Sequence, residues 1–124
     1  MPHVLIIDDE PGIRMALRRW FERQQYAVSE AADGQAALSQ LEQASVPPDV
    51  IICDLHLPQL SGAELIRHLA IHAPAVAARV VLTTGDDVTD AEPGSILCEH
   101  PHVLQKPFDF AALRTIIATF GVTS

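Results

Sequence analysis

The sequence predicts an α/β fold in which a parallel sheet lies between two layers of helices. Two observations carry this. Short β-rich runs alternate with longer segments of helical period, five times along the 124 residues. Three of the runs, Val4 to Ile7, Val50 to Cys53 and Val80 to Leu82, are continuously apolar, as strands covered on both faces must be. A chain of this length makes one domain, residues 1–124, and its 48% hydrophobic content fills one interior.

Val4 to Ile7 is the first strand, bounded by acidic residues. Pro11 and Gly12 then open a helix whose buried face is Ile13, Ala16, Leu17, Trp20 and Phe21. Proline is tolerated in that first turn because its missing N–H would be unpaired anyway. Ala27 to Ala31 reads as a second strand, Asp33-Gly34 as a turn, and Gln35 to Ala44 as a helix with Leu38 and Leu41 facing inward. Pro47-Pro48 breaks that helix before the strand Val50 to Cys53. Ser61 and Glu64 have the spacing of a capping box, so a helix should start there and run to about His72. Val80 to Leu82 is the fourth strand and Val103-Leu104 the fifth. Phe110, Leu113, Ile116, Ile117 and Phe120 trace the last helix. The weak segment is 87–99, where Pro93-Gly94 should keep any helix short or distorted.

Right-handed crossovers leave few topologies for such a chain. The flavodoxin-like (βα)5 order 2-1-3-4-5 is the expected one, with the site outside the carboxyl ends of the strands, where the order reverses. Those ends hold Asp8-Asp9-Glu10, Asp54, Thr83-Thr84-Gly85 and Gln105-Lys106-Pro107-Phe108. They should converge into an acidic pocket with one hydroxyl and one ammonium. Crowded carboxylates repel, which favours a hard divalent cation with oxygen ligands, Mg²⁺ or Mn²⁺. Asp54 then has the setting of a carboxylate nucleophile toward phosphorus.

With these residues in view, the chain resembles response-regulator receiver domains of two-component signalling, the CheY-like family. Asp8-Asp9, Asp54 to Pro58 with Gly62, Thr84-Gly85 and Lys106-Pro107-Phe108 match that family's motifs in order, from residue 3 to about residue 120. The resemblance implies that Asp54 is the phosphoacceptor, and that Asp8, Asp9, Asp54 and the backbone carbonyl of His56 hold the metal. It implies that Thr84 is the switch hydroxyl, and that Lys106 pairs with phosphoryl oxygens across a cis Lys106–Pro107 bond. It further implies a phosphodonor, a histidine kinase or histidine phosphotransfer protein. Family members often carry Tyr or Phe three residues before the lysine. Val103 stands there instead, so the switch signal is expected to travel by backbone shifts in 85–100.

Several residues have plainer readings. Thr83 reads as an ordinary strand residue. Lys106 does not, because it is the sole lysine beside seven arginines, and a compact ammonium on a flexible stem suits a phosphoryl site. His68 and His72 stand at i, i+4 on one helix, but with no third ligand in view they read as a solvated face. His100 and His102 belong to a loop and a strand start. His56 and Asp86 should border the phosphoryl site and tune the lifetime of the phosphate. Arg14, Arg18, Arg19 and Arg23 form a stripe that reads either as a solvated, ion-paired face or as a docking surface for the phosphodonor.

Composition narrows the alternatives. Sixteen acidic residues against eight basic ones give a net charge of −8, which disfavours nucleic acid and anionic membrane surfaces as partners. Cys53 and Cys98 form no metal or redox motif, no stretch has membrane-span length, and the expected compartment is the cytoplasm. A flavin module would need a Ser/Thr/Gly-rich loop after the first strand, and a dinucleotide enzyme a GxGxxG. A haloacid-dehalogenase-like hydrolase would need Asp-x-Asp where Asp8-Asp9 stands. A receiver that has lost phosphorylation would lack part of the set that is intact here. The expectation is therefore a signalling switch rather than an enzyme, with no output domain in the few residues after Phe120.

Overall fold

The computed structural model describes residues 1–86, 93–107 and 109–122. Residues 87–92 of the weak segment and Phe108 of the last motif lie outside the described residues. Five strands, β1 (His3–Ile7), β2 (Ala27–Ala31), β3 (Val50–Asp54), β4 (Val80–Thr84) and β5 (Val103–Gln105), form one sheet in the order β2-β1-β3-β4-β5. All four pairings are parallel. The expected topology is the observed one.

The period of two along each strand divides the core. Val4 and Ile6 of β1 face one layer, with Leu17 and Phe21 of α1 (Pro11–Arg23) and Leu113 and Ile117 of α6 (Phe110–Ala118). Leu5 and Ile7 face the other, with Ala37 of α2 (Gly34–Gln43) and Leu65 and Leu69 of α3 (Gly62–His72). Both faces of β3 and β4 are buried, which is why their sequences are continuous apolar runs. Two short helices, α4 (Pro74–Ala77) and α5 (Ile96–Glu99), complete the described elements.

Helix boundaries follow local chemistry. The capping box forms as expected: the Glu64 backbone N–H donates to Ser61 Oγ at 3.1 Å, and the Ser61 N–H to Glu64 Oε1 at 3.3 Å. Asp33-Gly34 is not a free turn but the start of α2. Asp33 Oδ1 accepts the Ala36 N–H at 2.7 Å, the role of an N-cap aspartate, so the helix begins one residue earlier than its apolar spacing predicts. Helix α4 went unforeseen because four residues show no periodicity; Pro74 in its first turn is the one signal. The last helix ends at Ala118, so Phe120 packs on the core from the turn beyond it. Helix α5 is a single turn beyond Gly94, whose φ of +86° breaks the chain's direction there. No helix among the described residues is long and apolar enough to cross a membrane.

Candidate functional site: an acidic pocket at the carboxyl edge of the sheet

Parallel pairing sets β1, β3, β4 and β5 side by side and so delivers their carboxyl ends to one edge. Asp54 ends β3 opposite Thr83 of β4, and Thr84 lies opposite Gln105 of β5. The ladder continues past the strands: Leu55 N–H donates to Thr83 O at 2.8 Å, and Lys106 N–H to Thr84 O at 2.6 Å. These bonds fix where Asp54 and Lys106 begin to leave the sheet. Gly62 fixes the other side of Asp54. A Cβ on Gly62 would lie 2.4 Å from the Asp54 carbonyl oxygen, so α3 can approach β3 this closely only with glycine there.

Lys106 is the electrostatic centre. Its ammonium lies 2.9 Å from Asp8 Oδ2, 3.4 Å from Asp54 Oδ2 and 3.9 Å from Glu10 Oε1. Asp8 and Asp54 are buried, whereas Asp9 and Glu10 are exposed at the rim. Burial raises the Asp54 carboxyl above the ordinary carboxylate range; Lys106 opposes the shift and Asp8 adds to it. Burial also works against the Lys106 charge, but the Asp8 hydrogen bond and the two carboxylates outweigh it and raise the ammonium above its usual value. The His56 backbone N–H is a further, smaller influence that opposes the rise of the Asp54 carboxyl. Carboxylate oxygens of Asp8, Asp9 and Glu10 lie within 4.8 Å of one another.

The described residues of the predicted site all lie at this edge, and the Lys106–Pro107 peptide is cis. Thr84 is fully buried, and its Oγ1 accepts the Asp86 backbone N–H at 3.0 Å. His56 donates from Nε2 to Asp86 Oδ2 at 2.8 Å. Among the described residues, the acidic cluster close enough to share one ion is Asp8, Asp9 and Glu10, without Asp54. Glu10 was visible as the third acid of its run, but nothing in the sequence shows that it reaches the lysine.

The α1 stripe is half absorbed. Glu30 on β2 accepts from Arg14 at 3.2 Å and from Arg18 at 2.6 Å, and Arg14 Nη1 donates to the Asp8 carbonyl at 2.6 Å. Arg14 thus braces the strand end that carries Asp8. Its signal was the Arg14–Arg18 spacing of one helical turn, with Glu30 across on β2. Arg19 and Arg23 stay exposed. Between α1 and the start of α6, a largely apolar groove of about 420 Å³ is formed by Ile13, Ala16, Pro107 and Phe110, with Glu10 and Lys106 at its rim.

Comparison with known proteins agrees with this geometry. The family model described as "Response regulator receiver domain" matches residues 4–118. Response regulator MprA of Mycolicibacterium vanbaalenii is 33% identical over 93% of this chain and 47% of its own length. Sporulation initiation phosphotransferase F of Bacillus subtilis is 25% identical over 94% of this chain and 91% of its own. A response regulator receiver domain protein from Clostridium thermocellum superposes with a TM-score of 0.81 at 27% identity, covering 97% of this chain and 94% of that one. The chain spans 24% to 52% of the length of the curated transcriptional and response regulators it matches.

Proposed function

The chain belongs to the response regulator receiver domain family of two-component systems, and from that premise we propose that Asp54 accepts a phosphoryl group from a phosphohistidine protein and so switches the domain's interaction surface. Residues 1–124 are read as one receiver unit. Receiver domains are signalling switches that take phosphate from histidine kinases, and the reading places this chain among them. The observation that carries it is the single Lys106 ammonium set between Asp8 and Asp54, at 2.9 and 3.4 Å.

The pocket's charge fits a divalent cation. Three carboxylates, those of Asp8, Glu10 and Asp54, share one ammonium, Asp9 adds a fourth beside Asp8 and Glu10, and every acidic donor is an oxygen. Asp8, Asp9, Asp54 and the His56 carbonyl would hold Mg²⁺ or Mn²⁺, which when bound offsets charge on the phosphoryl oxygens. The protein's own residues do the rest. An Asp54 carboxylate oxygen forms the bond to phosphorus as the donor's P–N bond breaks, and that electron pair leaves with the imidazole. Lys106 leaves its carboxylate partners for a phosphoryl oxygen. The Thr84 hydroxyl gives up the Asp86 N–H and turns toward a second. The work is positioning and charge compensation, which is what phosphoryl transfer asks of a protein.

The groove between α1 and α6 supports docking of the donor, since it is apolar and opens beside Lys106. Incubation with acetyl phosphate, with and without Mg²⁺, tests the proposal. One phosphoryl group should be added, and it should be absent in Asp54→Asn and without metal. Labelling that survives Asp54→Asn would move the acceptor elsewhere.

A further inference from the structure

The turn that carries the acid pair is held by its neighbours on two sides. Asp8 donates its backbone N–H to the Ala31 carbonyl at the end of β2, at 3.1 Å, and Asp8 Oδ1 accepts the Glu10 N–H at 2.9 Å. These bonds fix the chain up to Asp8 and fold it back at Glu10. The peptide between Asp8 and Asp9 is fixed by a side chain of α1, since Arg14 Nη1 donates to the Asp8 carbonyl at 2.6 Å. That carbonyl and the Asp9 N–H belong to one planar unit, so its orientation sets where the Asp9 side chain leaves the backbone. Among the described residues the exposed Asp9 carboxylate makes no hydrogen bond or ion pair, and the backbone alone aims it.

Arg14 is itself held. Its Nε donates to Glu30 Oε1 at 3.2 Å, and Arg18 Nε donates to Glu30 Oε2 at 2.6 Å, so Glu30 uses both oxygens to fasten α1 to β2. The Arg14 and Glu30 side chains are 19% and 30% exposed, which shields their attraction from water in part. A guanidinium suits this post. Its planar fork serves a carboxylate and a carbonyl at once in fixed directions, which an ammonium cannot do.

We propose that Arg14, buttressed by Glu30, is a positioning residue for the divalent cation: by holding the Asp8–Asp9 peptide it aims Asp9 and so sets how tightly Mg²⁺ is bound. The inference rests on the reading of the pocket as a cation site and extends it outward to α1 and β2. Charge and positioning predict opposite signs for the loss of Arg14. A guanidinium beside a cation site repels the ion, so if charge alone acted, removing it would tighten binding. If the brace acts, removing it weakens binding.

Calorimetric titration of the whole chain with Mg²⁺, paired with thermal melts without metal, tests this. Wild type should bind one ion. Arg14→Met should weaken binding by about tenfold or more, the scale seen when a residue that supports a metal ligand is lost. Arg14→Lys keeps the charge but lacks the fork, and should weaken binding by a smaller factor. Arg18→Met is the control for stability. It removes the other Glu30 partner and an equal charge but leaves the bond to the Asp8 carbonyl, so its Mg²⁺ affinity should match wild type even where its melting temperature falls. Unchanged or tighter Mg²⁺ binding in Arg14→Met, or equal weakening in Arg18→Met, would overturn the inference and leave the cation reading in place. A wild type that binds no Mg²⁺ would overturn that reading and the inference with it.

Discussion

His56 and Asp86 meet at 2.8 Å, joining the loop after β3 to the loop after β4. The same Asp86 donates its backbone N–H to the Thr84 hydroxyl, so one short chain of contacts runs from the mouth of the pocket to the buried threonine. Both side chains are exposed, 66% and 52%, which makes the contact easy to open and modest in energy. On the proposed phosphorylation of Asp54, this pair would hinder water at the phosphoryl group. His56→Ala and Asp86→Ala should each speed loss of the phosphoryl group by about threefold, a change on the scale of one exposed polar contact. Decay followed by radiolabel checks this, and equal rates in wild type and both variants would remove the pair from any part in the lifetime.

Asp8 depends on Lys106 in a way that metal can reveal. Its carboxylate is 2% exposed and accepts the Glu10 N–H at 2.9 Å, but its one counter-charge among the described contacts is Lys106. Lys106→Met should lower stability without metal by about 3 kcal/mol, the low end for a broken buried pair because the Glu10 bond remains. At this chain length that corresponds to roughly 10 °C in Tm. Mg²⁺ should then raise Tm more in Lys106→Met than in wild type, since the cation would replace the missing charge. Equal Mg²⁺ increments in the two proteins would show that metal and lysine do not share Asp8.

Most of the fold was legible because strands buried on both faces must be apolar throughout, and Val4 to Ile7, Val50 to Cys53 and Val80 to Leu82 are. The chemistry-bearing residues were legible because a parallel sheet puts every strand's carboxyl end at one edge. What escaped notice depends on contacts between distant elements. Arg14 bracing the Asp8 carbonyl and Glu10 reaching Lys106 both join residues whose proximity only the packed helices create. Helix α4 escaped for a local reason, since one turn is too short to show a period. Val103 is packed against the core beside β4, as a strand residue in β5 should be, and carries no ring to report on Thr84.

Gly62 offers a packing test of the pocket's rigidity. An added methyl would press on the Asp54 carbonyl oxygen at 2.4 Å and on Leu55 Cα at 2.9 Å, both backbone atoms that cannot swing away. Gly62→Ala should therefore cost about 2 kcal/mol, as overpacking does, and slow phosphorylation by displacing Asp54. Gly12→Ala is the control, because nothing lies within 4 Å of its added methyl; in a helix it should be neutral or stabilise by up to about 1 kcal/mol. Denaturant melts of the two variants, with acetyl phosphate labelling, decide it. A Gly62→Ala protein as stable as Gly12→Ala would mean that α3 can retreat without strain.

His100 makes the fold's stability depend on pH away from the pocket. Its Nε2–H donates to the Val80 carbonyl at 2.7 Å, where β4 begins. Burial lowers its pKa below the ordinary 6.5; the Val80 bond opposes that shift, and the neighbouring His102, ring centroids 6.3 Å away, adds to it. The sign follows from linkage. Between the lowered folded value and the unfolded 6.5, the unfolded chain binds more protons, so stability rises with pH. The contribution is complete above the unfolded value and is lost as pH falls through the folded one. Gln can keep the N–H donor to Val80 but has no charge to gain. Thermal melts from about pH 7.5 down to about pH 5 should thus show a shallower decline for His100→Gln than for wild type, with the two curves closest at the top of the range. Parallel curves would mean that His100 takes up its proton equally well in the folded protein, and that the Val80 contact tolerates the imidazolium.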